Sequence, residues 1–298
     1  VEYRQLGANG PSVSAITFGA WPIGGGLGSV DKATAIATVR HALGVGITAI
    51  DTAEFYRDSE AILGEALDGY PRDRLFLATK VSIEPFTRQR IREALDNSLR
   101  ALRTDYVDLY QLHRYPTGVP LEEALTGLVD AIDAGKARYV GTSMFSAQQL
   151  AACAGFPIQS EQPRLNILYP DATVDSLPYC ASHGIGILGH STLGKGLLTG
   201  RYRPGHQFAP DDERSGFERF QGATFAAHVA RADRLAEVAR EKGASLLQLA
   251  IAWSLAQPGV TSAIVGAKRP EQIDEQLRGV ELRLSAEDLR RIDEIARG

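Results

Sequence analysis

An aspartate, a tyrosine, a lysine and a histidine stand where short apolar runs give way to polar sequence. Asp51 and Tyr56 lie in Gly46-Ile47-Thr48-Ala49-Ile50-Asp51-Thr52-Ala53-Glu54-Phe55-Tyr56, Lys80 closes Leu75-Phe76-Leu77-Ala78-Thr79-Lys80, and His113 closes Leu109-Tyr110-Gln111-Leu112-His113. Each has an ordinary use alone: an aspartate caps a helix, a lysine stretches its stem toward water, a histidine sits satisfied in a core. Together they suit proton transfer to a carbonyl oxygen. A free tyrosine has a pKa of about 10, and a nearby ammonium stabilises the phenolate and lowers that value. Asp51 would hold the lysine in place and charged, and His113 could orient the oxygen. The sequence shows no nucleophile–base pair of the Ser-His or Cys-His type and no metal-ligating cluster. The proton donor therefore needs a partner for the other half of the reaction, and hydride from a nicotinamide fits.

The elements that must position these groups follow a steady rhythm of short apolar run, loop and amphipathic helix. Strands are predicted at 15–19, 47–50, 75–79, 107–112, 137–141, 158–162, 185–189 and 263–265. Helices are predicted at 32–43, 59–67 (Ser59 as cap), 87–102 (Thr87 as cap), 121–134, 146–154, 174–182, 224–242, 245–256, 270–277 and 286–296. Short buried strands alternating with helices imply a parallel sheet covered on both faces. Eight such units favour an α/β fold of the closed (β/α)8 TIM-barrel kind, with an open doubly wound sheet as the alternative. Asn9-Gly10 predicts an N-terminal β-hairpin, which can plug the bottom of the barrel, and extra C-terminal helices follow the last strand. Residues 1–298 read as one domain. In a barrel Asp51, Lys80 and His113 become neighbours at the C-terminal rim, where active sites form. The stretch 194–222 reads as one long loop, a length that is usually functional.

Composition narrows the function classes. Of 298 residues, 44% are apolar and 23% charged, as in soluble globular proteins, and the net charge of −4 supplies no field for nucleic acid or an anionic membrane. Cys153 and Cys180 read as reduced core thiols. The chain reads as cytoplasmic, without a membrane span or signal peptide.

DTAEFY, the lysine of FLATK, the histidine of DLYQLH, the GTS of YVGTSMFS, HSTLGKGLLTGRY and AIVGAKRPEQIDEQL together resemble the aldo-keto reductase superfamily nearly end to end. The resemblance implies a (β/α)8 barrel and NADP(H)-dependent reduction of a small-molecule carbonyl, or oxidation of the corresponding alcohol. It implies Asp51, Tyr56, Lys80 and His113 as the catalytic four, with Tyr56 the acid. It implies Ser143 and Gln162 on the nicotinamide carboxamide and His190 against the nicotinamide ring. Ser191, Leu193 and Gly196 would form the pyrophosphate loop, and Lys268, Arg269 and Gln272 the grip on the 2′-phosphate. This sequence departs from the family pattern at Arg57, Met144, Pro163-Arg164-Leu165 and His190.

Trp21, Phe55, Phe86 and Tyr115, with Tyr202, His206, Phe208, Phe217, Phe220 and the arginines of the long loop, are expected to wall the substrate pocket. Arg57 either places a cation at the pocket mouth or points to solvent. The leading reading is a carbonyl reductase. An NAD(P)-dependent sugar or alcohol dehydrogenase and a nucleotide-binding, redox-sensing regulatory subunit are the alternatives.

Overall fold

The structure is a computed structural model and describes residues 1–297. Two antiparallel strands, β1 (Tyr3–Gln5) and β2 (Ser12–Ser14), precede eight parallel strands, β3 (Ile16–Gly19), β4 (Ala49–Asp51), β5 (Phe76–Val81), β6 (Val107–Leu112), β7 (Ala137–Ser143), β8 (Ile158–Gln162), β9 (Gly186–Gly189) and β10 (Val260–Gly266). The eight close into a barrel in sequence order, with β10 pairing β3 on one side and β9 on the other. The closed-barrel expectation is met, and the open-sheet alternative is not.

Helices α1 (Lys32–Gly44), α2 (Ser59–Ala66), α3 (Arg88–Leu102), α4 (Leu121–Asp133), α5 (Ala147–Ala151) and α6 (Ser176–His183) follow successive strands, and α7 (Gly222–Glu241) and α8 (Leu246–Ala256) separate β9 from β10. The chain finishes with α9 (Pro270–Glu281) and α10 (Ala286–Arg297). Thr87 caps α3 as predicted, its hydroxyl accepting from Arg90 N–H at 3.2 Å. Ser59 does not cap α2: its buried hydroxyl bonds Thr52 Oγ1 at 2.8 Å and the cap position falls to Asp58. The apolar 59–67 pattern placed the helix correctly, but burial of its first turn took the serine inward. The 194–222 stretch is not structureless; an irregular turn at 194–199 and two short 3₁₀ turns, Glu213–Gly216 and Glu218–Phe220, punctuate it. Among the described residues, no helix is long and apolar enough to cross a membrane.

Two layers of apolar packing set the scaffold. Between strands and helices lies the main core, which includes the buried Trp253, Tyr110 and Phe18. Inside the barrel, Ala49, Phe76, Ala78, Leu109, Leu188 and Ile264 pack with Leu6 of the hairpin. Side chains alternate faces along a strand. The residues two further on from Ala49, Ala78 and Leu109 are Asp51, Lys80 and Gln111, so the period that fills the barrel floor with carbon aims polar groups at its upper end. The hairpin closes the opposite end, where Gln159 donates to Leu6 O at 2.7 Å.

Helix–helix contact leaves little slack. A Cβ on Gly64 of α2 would stand 2.3 Å from Ala101 O of α3. Gly64→Ala is expected to destabilise the fold by about 1–3 kcal/mol through overpacking, read as a lower urea midpoint with an unchanged slope.

Candidate functional site

Four side chains meet at the C-terminal end of the barrel. Lys80 is fully buried, and its Nζ donates to Asp51 Oδ2 at 2.6 Å and to Thr52 O at 2.8 Å. The other oxygen of Asp51 accepts from Gln162 Nε2 at 2.8 Å. The same ammonium lies 5.0 Å from the centre of the Tyr56 ring. His113 packs edge-on to Tyr56, centroids 5.6 Å apart, and its Nδ1 bonds Ser82 Oγ at 2.5 Å. Trp21 meets the other side of the Tyr56 ring at 4.9 Å.

Burial, with the charge of Lys80 beside it, holds His113 well below its usual pKa, so the imidazole is neutral. For Lys80, burial works against the ammonium, but Asp51 and then Tyr56 outweigh it and the pKa is raised. The lysine is therefore charged at any neutral pH. The expectation for Tyr56 needs correction. Burial pushes its phenol above the usual value; Lys80 acts in the lowering direction without cancelling that effect, and Asp51 adds to the rise. Pairing with Asp51 leaves the lysine less of its field to spend on the phenol.

The loops are tied so that this geometry holds. Glu54 accepts from Ser82 N–H at 2.6 Å, from Ile83 N–H at 3.0 Å and from Arg90 at 2.6 Å. It thereby fixes the loop carrying Tyr56 to the one carrying Ser82.

A cleft of about 530 Å³ opens above the four and runs to the start of α9. Of the residues expected to serve a cofactor, Gln162, His190, Ser191, Leu193, Gly196, Lys268 and Gln272 line it, and Trp21 and Phe55 stand at its mouth. His190 bonds Ser191 Oγ at 2.9 Å through Nδ1 and lies 3.0 Å from Met144 Sδ through Nε2. Its imidazole is neutral, burial pushing its pKa down to about 3.

Five expected residues lie elsewhere. Phe86 is fully buried in the main core beneath the rim. Tyr115 packs on Phe145, centroids 5.2 Å apart, away from the cleft. Arg57 is exposed on left-handed backbone (φ 51°) and donates to Gly25 O at 2.8 Å, so it is not a cation of the cleft. Ser143 is buried and spends its hydroxyl on Gln162 O at 2.9 Å. Arg269 is exposed at the start of α9 and does not line the cleft. The aromatic residues of the long segment mostly pack on one another. Phe208 and Phe220, with Phe225 of α7, form a cluster with Tyr202, and of these only Tyr202 reaches the cleft, beside Arg201 and Arg214 of the same segment.

That segment crosses the cleft as a strap. Glu213 pairs with Lys195 and accepts from Trp21 Nε1 at 2.9 Å, while Arg214 pairs with Asp212 at 2.5 Å and donates to Lys195 O at 3.1 Å. Sequence reading missed Glu213, whose partners lie 192 and 18 positions away. It also missed Ser82 and Gln276, for which a signal existed: Ser82 shares the strand face of Lys80, and Gln276 shares a helix face with Gln272.

A closed parallel barrel with an Asp–Lys pair, a tyrosine and a histidine at its C-terminal rim defines a class of barrel oxidoreductases. The chain belongs to the Aldo/keto reductase family, whose signature matches residues 15–297. It is 36% identical to the aldo-keto reductase YhdN of Bacillus subtilis, over 99% of this chain and 93% of that one. It is 34% identical to a probable voltage-gated potassium channel subunit beta of Arabidopsis thaliana, over 95% and 92%. Among solved structures, a glycerol dehydrogenase from Gluconobacter oxydans superposes with a TM-score of 0.88 at 30% identity, covering 98% of this chain and 94% of that one.

Removing one partner of a buried ion pair strands the other charge. Lys80→Met should cost about 3–5 kcal/mol of stability, measured by chemical denaturation at neutral pH. Because the folded-state pKa of Lys80 is raised, the difference should persist from neutral pH upward and shrink only as the pH rises past the ordinary lysine value of about 10.4. Adding Asp51→Asn to Lys80→Met should recover part of the loss.

Proposed function

We propose that the chain is an NADPH-dependent oxidoreductase that reduces an aldehyde or ketone to an alcohol, with Tyr56 as general acid. The observation that carries this reading is the buried Asp51–Lys80 pair beneath Tyr56, with His113 beside it lining the same cleft.

The residues of the cleft fit a dinucleotide. Gln276 presents a buried side-chain oxygen with no partner among the described residues. Gln272 spends its oxygen on Lys268 N–H at 2.7 Å, which leaves its amide NH₂ free for a ligand. Four cations, Lys195, Arg201, Arg214 and Lys268, line the same cleft. Gly194, Lys195 and Gly196 are consecutive left-handed residues, and a Cβ on Gly196 would press on Tyr202 at 3.0 Å. Ser191, Leu193 and Gly196 would hold the pyrophosphate, Lys268 the 2′-phosphate, and Gln162 and His190 the nicotinamide. When bound, the nicotinamide supplies the hydride.

The chain's own residues manage the proton. With its pKa raised, the Tyr56 phenol is protonated throughout the neutral range and is ready to donate to a carbonyl oxygen as negative charge develops there. Lys80 stabilises the phenolate left behind, and Asp51 with Thr52 O keeps the ammonium charged and aimed. In the tautomer in which Ser82 donates to Nδ1, the neutral His113 carries its proton on Nε2 and can hydrogen-bond the same oxygen. Run backwards, this machinery oxidises an alcohol, the direction that likeness to a glycerol dehydrogenase favours.

Tyr56→Phe keeps the ring and removes the proton. Turnover should fall roughly 10²–10⁴-fold with cofactor affinity little changed; a variant that reduces a good substrate at the wild-type rate would refute the assignment. The sign of the pH dependence follows from the raised pKa. Reduction should show no loss from Tyr56 ionisation below about pH 10, whereas alcohol oxidation, which needs the proton removed, should accelerate with pH.

Lys268 lines the cleft and would be the cation for the 2′-phosphate, while Arg269 lies outside. Lys268→Ala should weaken NADPH binding about tenfold or more, the worth of a charge-assisted contact, and leave NADH binding alone. Arg269→Ala should do less. Fluorescence titration of both cofactors checks the pair.

A further inference from the structure

Glu161 is a carboxylic acid fully buried one residue before Gln162, and the proton chemistry above does not use it. Neighbours on a strand face opposite ways. Gln162 points into the barrel toward Asp51, while Glu161 points into the layer between strands and helices. Its carboxylate accepts from Thr142 Oγ1 at 2.5 Å and from Phe145 N–H at 3.0 Å. Between those two contacts, Ser143 Oγ and Met144 N–H both donate to Gln162 O, at 2.9 and 3.2 Å. Four consecutive residues at the end of β7 are therefore bonded to two consecutive residues of β8. The turn they make is unusual: Met144 adopts a left-handed conformation, φ 63°, that side chains other than glycine, asparagine and aspartate rarely take. It carries the chain's single methionine against His190, which lines the cleft.

We infer that Glu161 is a positioning residue: its carboxylate clamps the Thr142–Phe145 turn in its left-handed form, and so sets Met144 and Gln162 toward the cofactor end of the cleft. A carboxylate brackets the turn at both ends with two donors, where an apolar residue would leave the buried Phe145 N–H and Thr142 hydroxyl to find other partners. Ionisation strengthens both bonds, since charge-assisted hydrogen bonds are about twice as strong as neutral ones. Burial pushes the Glu161 pKa up to about 8, against the hydrogen bonds that lower it. The titratable groups facing it are the thiols of Cys153, in the turn after α5, and Cys180 on α6, both raised by burial. Thr142 and Ile187, its register partners on β7 and β9, do not titrate. The clamp thus tightens as the pH rises through about 8.

The clamp is tested without cofactor; the part of the inference that concerns cofactor rests on the nicotinamide reading above. In the cofactor-free protein, Glu161→Leu should speed hydrogen exchange at the Phe145 amide by about tenfold or more, while Glu161→Gln, which keeps an acceptor for that amide, should stay near wild type at neutral pH. In NADPH titrations, the wild-type Kd should fall as the pH rises through about 8, and that step should be absent from Glu161→Gln. Unchanged Phe145 exchange in a folded Glu161→Leu protein overturns the clamp, and so does a step that survives in Glu161→Gln. If Glu161→Leu does not fold, the pH profile of Glu161→Gln decides. If the exchange result holds and wild type takes up no NADPH, the clamp stands and the nicotinamide reading falls.

Discussion

The ion pair between Asp51 and Lys80 is the constraint around which the rim is organised. Two charges out of water are costly, and replacing a buried pair with well-packed apolar residues is often neutral or stabilising. A pair with no exposed atom of lysine therefore has to be made good locally, and it is: Thr52 O takes a second ammonium donor and Gln162 satisfies the second carboxylate oxygen. These contacts join β4, β5 and β8 across the inside of the barrel. What the pair does for the site follows from electrostatics. It places a charge that cannot titrate away near neutral pH close to a phenol that burial keeps protonated.

Around that centre the binding surface is assembled from parts held by their own ionic contacts. Lys195 and Arg214 line the cleft but are neutralised by Glu213 and Asp212, and Lys268 donates to the Leu27 and Gly28 carbonyls. The cleft is therefore less cationic than a count of its lysines and arginines suggests. An anionic ligand would meet cations already held in position, with less conformational freedom to lose on binding.

The strand period of two explains why neighbouring residues have separate duties. Along β8, Gln162 serves the inside of the barrel and Glu161 the outside, and both are bonded to the same turn after β7. The rim is thus shaped from two sides. The inner side orients the polar groups of the cleft, and the outer side fixes the backbone that carries them.

Much of this was legible in the sequence. Eight apolar runs separated by amphipathic helices implied a parallel sheet, because each run needs both faces covered, and their number favoured closure into a barrel. The convergence of Asp51, Lys80 and His113 then followed from strand order. Positions set by strand and helix period were read well because that periodicity is local. What tertiary structure decided is everything that depends on where a long side chain or an irregular loop goes. Arg57 could be read as a mouth cation or as solvent-facing, and Arg269 as a grip on phosphate, but backbone direction sends the one to Gly25 O and leaves the other exposed. Phe86 and the phenylalanines of the strap looked like pocket walls, but apolar rings bury against one another when packing allows. The direction of the Tyr56 pKa could not be read either. It is a balance between desolvation and the charges of Lys80 and Asp51, and both depend on distances that only the folded chain sets.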